Sequence, residues 1–237
     1  MLIWNWLGTV PIEYVLAFQE QLFLQKKEGA GENFLLFCEH PSVYTHDSRN
    51  ETMRRWRKPY PPPAHVVDVP RRLGVTYHGP GQIVCYCIVD IHTLGVRFPL
   101  AWNMVIDEVV KNVLHTYGVR SRVRRKPEGA SGIWVVGKDR TMRKICSRGV
   151  SILWPSGITR FGFALNVSTN LFFFDAIYPC GMDIKMTSIA QELGRAPALM
   201  EVAGQLAQTF GRVLNASCVR DPDLAPPANI ESEILWR

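Results

Sequence analysis

From Ile83 to Ile91 the chain reads IVCYCIVDI, almost unbroken by polar side chains. The run is far too short to span a membrane, which takes about 20 apolar residues. It suits a strand buried on both faces, because a strand with one wet face alternates apolar and polar residues. Such a strand needs an apolar layer above it and another below. Amphipathic helices elsewhere can supply both. Between Pro99 and Tyr117, the residues Trp102, Ile106, Val109, Val110, Val113, Leu114 and Tyr117 share one helical stripe, and Gly118 is a natural stop. Residues 197–214 repeat the pattern with Leu199, Val202, Leu206, Phe210 and Val213. A third helix, residues 11–26, opens on Pro11 and turns Ile12, Val15, Leu16, Gln19 and Phe23 to one side. Shorter strands are expected at 2–7, 33–38, 65–69, 132–136, 143–153 and 161–167. Strands outnumber helices and the two kinds are interleaved, so the fold class is α/β (α+β), a single domain over residues 1–214. A loosely packed tail is expected over 215–237, where Pro222, Pro226 and Pro227 lie.

With 47% hydrophobic and 20% charged residues, the chain carries enough apolar material for a core that needs no metal or disulfide staple. The six cysteines form no CxxC pair and no zinc-like spacing with histidine. Cys85 and Cys87 lie two apart in the apolar run and read as small buried hydrophobes on one face. Scattered cysteines suit a reducing compartment. The opening residues match neither a secretory signal nor an Arg-rich transit peptide, so the cytoplasm is expected, with an organelle after presequence removal as the alternative. The net charge of +6 is concentrated in Arg54, Arg55, Arg57 and Lys58, then Arg71 and Arg72, then Arg120, Arg122, Arg124, Arg125 and Lys126. These clusters are either solvated surface or a docking face for an acidic partner. No zinc finger, RNA-binding aromatic motif or helix-turn-helix accompanies them, so an acidic protein is favoured over nucleic acid. No membrane association is expected.

Three segments could carry chemistry. Residues 71–82, RRLGVTYHGPGQ, set glycines, a proline and His78 between two strands. The glycines let backbone approach a ligand, although the spacing is neither a Walker loop nor a dinucleotide fingerprint. Taken alone, His78 reads more readily as a hydrogen-bonding structural residue than as a base. Residues 144–149, KICSRG, place Lys144 among apolar neighbours, where its stem can be buried. Residues 178–181, YPCG, set Cys180 between proline and glycine on a tight loop, where a thiol is more accessible than inside a strand.

Taken in order, EHPSVYT (39–45), VTYHGPGQ (75–82), LGV (94–96), KICSRGV (144–150), FALNVSTNL (163–171) and PCG followed by TSIAQELG resemble the lipoyl(octanoyl) transferase family. The resemblance runs from about residue 2 to residue 194. It implies a mixed β-sheet with flanking helices, similar to the catalytic domain of biotin and lipoate protein ligases. It also implies an octanoyl donor on acyl carrier protein, and an acceptor lysine on the lipoyl domains of 2-oxoacid dehydrogenases or on the glycine-cleavage H protein. No cofactor or metal is implied. The family's nucleophile falls on Cys180 and its pKa-lowering lysine on Lys144. Its substrate-lining stretches fall on Arg71, Arg72, Leu73, Gly74, Val75, Thr76, Tyr77 and His78, on Ser147, Arg148 and Gly149, and on Gly162, Phe163 and Ala164.

The chain departs from the family at three places. Arg72 and Leu73 stand where the family has Gly-Gly, Phe161 stands where it has His, and Arg148 replaces a small or apolar residue. Bulkier linings in all three stretches lead to an expectation of slow octanoyl transfer or preference for a shorter acyl chain. Two other readings are carried forward. One is an ATP-dependent lipoate-protein ligase, against which a nucleophile-like cysteine argues. The other is a catalytically altered paralogue that only binds carrier or lipoyl domains.

Overall fold

The computed structural model describes residues 1–48, 56–57, 64–69, 74–125, 131–137 and 140–228. In chain order the elements are β1 (Leu2–Thr9), α1 (Ile12–Lys27), β2 (Asn33–Glu39), β3 (Val43–His46), β4 (His65–Asp68), β5 (Thr76–His78), β6 (Gln82–Ile88) and α2 (Pro99–Thr116). There follow β7 (Ser121–Arg124), β8 (Gly132–Val136), β9 (Met142–Leu153), β10 (Ile158–Asn166), β11 (Lys185–Met186), α3 (Ile189–Leu193), α4 (Leu199–Leu214) and β12 (Cys218–Arg220).

Among the described residues the main sheet has nine strands in the order β12-β1-β2-β6-β10-β9-β8-β7, with β11 beside β9. It is mixed: β1 lies parallel to β2 and β12, and β6 runs antiparallel to β2 and β10. A smaller sheet, β4-β3-β5, stands apart from it. Every residue of β6 is buried, as its composition requires. Ile83, Cys85 and Cys87 face a core built with α2 and α4, whereas Val84, Tyr86 and Ile88 face α1. The Cys85 and Cys87 sulfurs lie 3.7 Å apart on one face, as their spacing dictates.

The expected stripes of α2 and α4 meet over the sheet, where the Trp102 and Phe210 rings stack with centroids 6.0 Å apart. Full burial of each such side chain contributes about 1.5–3 kcal/mol. Gly118 ends α2 at φ +83°, a left-handed stop that glycine adopts freely.

Four strands come from residues without a strand-like pattern of their own. β5 lies within the glycine segment, β7 within a basic cluster, and β3 and β11 are too short to show a period. The tail also differs from expectation. β12 extends the sheet by pairing with β1, and Leu224 is buried beyond it; residues 229–237 lie outside the described residues. Among the described residues no helix is long and apolar enough to cross a membrane.

Candidate active site

Between α1, β5 and the β9–β10 pair lies a cavity of about 60 Å³. Gly74, Thr76 and His78 form one wall, and Ser147, Arg148, Gly149, Gly162, Phe163 and Ala164 another. Three separate sequence segments thus meet around one space. Arg71, Arg72 and Leu73 lie outside the described residues. Val75 and Tyr77 alternate away from the cavity into a satellite cluster, where the Tyr77 and Phe173 rings stack at 4.6 Å. Gly162 has a steric reason: a Cβ there would sit 2.2 Å from the Cys85 carbonyl oxygen.

Arg148 does not bulk out the cavity. Its cross-strand partner is Phe163, and like Phe163 its side chain runs into the α2 layer. There its guanidinium pairs with buried Asp107 and donates to the Asn103 carbonyl oxygen at 3.4 Å. Arg148 therefore lines the cavity through its backbone, which corrects the expectation drawn from its size. Arg125 also reaches Asp107, at 3.4 Å.

Phe161 belongs to the cavity wall. Phe163 and Leu165 enter the α2–α4 core, and strict alternation would send Phe161 the same way. Instead Phe161 packs in the α1 layer, and so does Arg160, whose guanidinium stacks 4.3 Å from the Phe23 ring centre and pairs with Glu20. Two consecutive side chains share one face because Phe161 has φ +60°. A bulky residue held in that left-handed region costs on the order of 1–3 kcal/mol.

Lys144 is fully buried on β9. Gly132 on β8 makes room for it, since a Cβ at position 132 would lie 2.7 Å from Lys144 Cε. The neighbouring thiol of Cys146 is held up to about 12 by burial, and the nearby Lys144 and Arg148 only partly offset this. Cys146 therefore stays a neutral thiol at ordinary pH, despite lying two residues from the lysine.

Cys180 falls in a single 3-10 turn, Pro179–Gly181, that packs against β5. Its side chain lies outside what the structure describes. The chain then enters β11, which pairs with β9 at Lys144. The Gly181 amide donates to the Tyr178 carbonyl oxygen at 2.7 Å. Arg57, from the basic segment, clamps this turn at both ends. It stacks 4.4 Å from the Tyr178 ring centre and ion-pairs with Asp183. The sequence marked Arg57 only as one charge of a cluster.

His78 is tied into a directed chain of hydrogen bonds. Gln82 Nε2 donates to Asn166 Oδ1 at 2.9 Å, and Asn166 Nδ2 donates to the Thr187 carbonyl oxygen at 3.0 Å. Gln82 Oε1 is then the acceptor facing His78 Nδ1 at 2.6 Å, so Nδ1 carries a proton. A second buried histidine, His40, donates from Nδ1 to the Val10 carbonyl oxygen at 2.6 Å and accepts from the hydroxyl of Tyr86, a cavity residue, at 2.9 Å. Burial lowers the His40 pKa to about 4. Among the described residues no group of three His, Cys, Asp or Glu side chains could hold a metal ion.

The lipoyl protein ligase A/B catalytic domain matches residues 11–211 of this chain. The octanoyltransferase of Bacteroides fragilis is 37% identical over 181 residues, covering 75% of this chain and 79% of that protein. The fold is similar to a crystal structure of lipoate-protein ligase A bound with ATP, at TM-score 0.70 and 14% identity, covering 93% of this chain and 87% of that one. It is also similar to the bipartite lipoate protein ligase of Thermoplasma acidophilum, studied with its E2 lipoyl domain, at TM-score 0.63 and 14% identity, covering 93% and 86%.

Proposed function

The chain belongs to the lipoyl protein ligase A/B catalytic-domain family and is an acyltransferase, and on that premise we propose that it moves a medium-chain acyl group through Cys180. The donor in this reading is an acyl thioester on acyl carrier protein, with octanoyl the group named by its relatives. The acceptor is a lysine of lipoyl domains such as those of 2-oxoacid dehydrogenases or the glycine-cleavage H protein, in lipoate biosynthesis. The observation that carries the reading is Lys144. It is fully buried and bonded along its strand to the segment that leaves Cys180, on the same strand as cavity-lining Ser147, Arg148 and Gly149.

In the first half-reaction the Cys180 thiolate attacks the thioester carbonyl carbon. A free cysteine, with a pKa near ~8.5, is only slightly ionised at neutral pH, and a nearby ammonium favours the thiolate. The tetrahedral intermediate collapses by breaking the bond to the carrier's sulfur, which leaves with the proton of Lys144. Exchange of one thioester for another is nearly balanced in energy, so no ATP is consumed. In the second half-reaction the acceptor ammonium gives a proton to neutral Lys144, and the free amine attacks the acyl carbon. Cys180 departs as thiolate, and the second proton on the new amide nitrogen passes to solvent. The cycle ends with Lys144 again an ammonium and Cys180 again a thiolate.

The edge strand β7 offers a docking face for an acidic carrier. Arg120 and Arg122 are exposed there, and Arg124 stacks 5.2 Å from the Trp134 ring centre. Charges along an edge strand also keep it from pairing with another chain.

Intact mass spectrometry after incubation with octanoyl-carrier protein in the absence of ATP tests the reading. One octanoyl mass is expected on the wild type and none on Cys180→Ala. Labelling that persists in Cys180→Ala would overturn the nucleophile, and an adduct that appears only with ATP would place the chain with the ligases.

A further inference from the structure

Two unfavourable features converge on Phe161. Its backbone occupies the left-handed region at φ +60°, although it is neither glycine nor asparagine. Its amide donates at 2.5 Å to Oε1 of Gln19, a fully buried residue of α1 whose Nε2 has no hydrogen-bond partner among the described residues. A strained φ and an unpaired buried amide are each selected against unless the surroundings require them. Together they turn one phenyl ring out of the α2–α4 core and into the cavity wall, beside Ile12 and Leu16.

The space that remains is small. The space left beside the ring is about 60 Å³, in a pocket that is partly open to solvent. The walls of β9 and β10 cannot retreat easily, because Gly162 already touches β6 and Arg148 is anchored to Asp107. The side chain of Phe161 therefore fills the room that the far methylenes of an acyl chain would take.

We propose that Phe161 is the chain-length determinant of this enzyme, closing the α1 end of the cavity so that donors shorter than octanoyl are preferred. The inference rests on the reading of the cavity as the acyl site. An aromatic ring turned inward by a fixed backbone sets a hard limit, whereas a flexible side chain would yield to a longer substrate. Phe161→Gly would remove the ring and suit the left-handed backbone. Phe161→Leu would shorten the side chain without abolishing the wall.

The test is acyl loading and transfer with carrier-bound butanoyl, hexanoyl, octanoyl, decanoyl and dodecanoyl groups, with thermal melting of each variant as a fold control. The wild type should favour hexanoyl over octanoyl. Phe161→Gly should raise the octanoyl-to-hexanoyl ratio about tenfold or more, the discrimination that one or two methylenes give in an apolar pocket, and Phe161→Leu should fall between. If all three proteins load donors in the same order, Phe161 does not set chain length. If no donor of any length acylates the protein, the reading of the cavity fails instead. Should Phe161→Gly not fold, the shift in Phe161→Leu decides the matter alone.

Discussion

The amide of Thr187 donates to the carbonyl oxygen of Lys144 at 2.9 Å, so the segment leaving the Cys180 turn is bonded to the backbone of the buried lysine. Thr187 in turn accepts from Asn166, which accepts from Gln82, the partner of His78. Replacing Asn166 by Asp keeps an acceptor for Gln82 but sets an oxygen against the Thr187 carbonyl. Asn166→Asp should lose about 1–3 kcal/mol of stability, the usual cost of an unsatisfied buried group. It should also slow acyl transfer, because the Lys144 strand loses its brace. Chemical denaturation and transfer assays on one preparation check this, and an unchanged transfer rate in a destabilised protein would detach the network from Lys144.

Lys144 should act on Cys180 through charge. Lys144→Met preserves a long apolar stem in the space left by Gly132 and should keep the fold. Alkylation of Cys180 by iodoacetamide should then need a higher pH than in the wild type. The background is low, because Cys146 is pushed up to about 12 and Cys218 to about 11 by burial, and Cys38 and Cys85 are raised by burial too. Superimposable pH profiles in the two proteins would dissolve the proposed dyad.

His40 makes the fold sensitive to mild acid. Its pKa falls from 6.5 to about 4 on folding because burial disfavours the imidazolium. The unfolded chain therefore binds more protons between those values. The stabilisation is full above pH 6.5 and is lost as pH falls towards 4, amounting to on the order of 3 kcal/mol. Denaturation curves at pH 7.5, 6 and 5 should show this loss in the wild type and a shallower one in His40→Gln. Parallel loss in both proteins would assign the acid sensitivity to other groups.

The β7 edge should serve the carrier protein and not the chemistry. Arg125 is a poor choice for charge reversal, since it reaches buried Asp107. Arg120→Glu combined with Arg122→Glu is the cleaner variant, because both residues are exposed. It should weaken use of carrier-bound acyl groups several-fold at low salt, with little effect on a small octanoyl thioester. Equal losses with both donors would show that these residues support the fold.

The sequence by itself determined the elements whose pattern is local. The run through β6 dictated burial on two faces, and the stripes of α2 and α4 dictated which side chains meet over the sheet. Each depends only on the period of a single helix or strand. The family resemblance carried by KICSRG and PCG pointed to Lys144 and Cys180, and the structure joins their segments through β11. Tertiary structure alone decided which way Phe161 points and where the charge of Arg148 is paired. Period two assigns a face only while the strand stays regular, and one left-handed residue at Phe161 resets it. Arg148 followed its alternation, but only the position of Asp107 on α2 shows where its charge finds a partner. The chain from His78 through Gln82 and Asn166 to Thr187 joins three distant segments, and no local pattern records a hydrogen bond between residues so far apart in the chain.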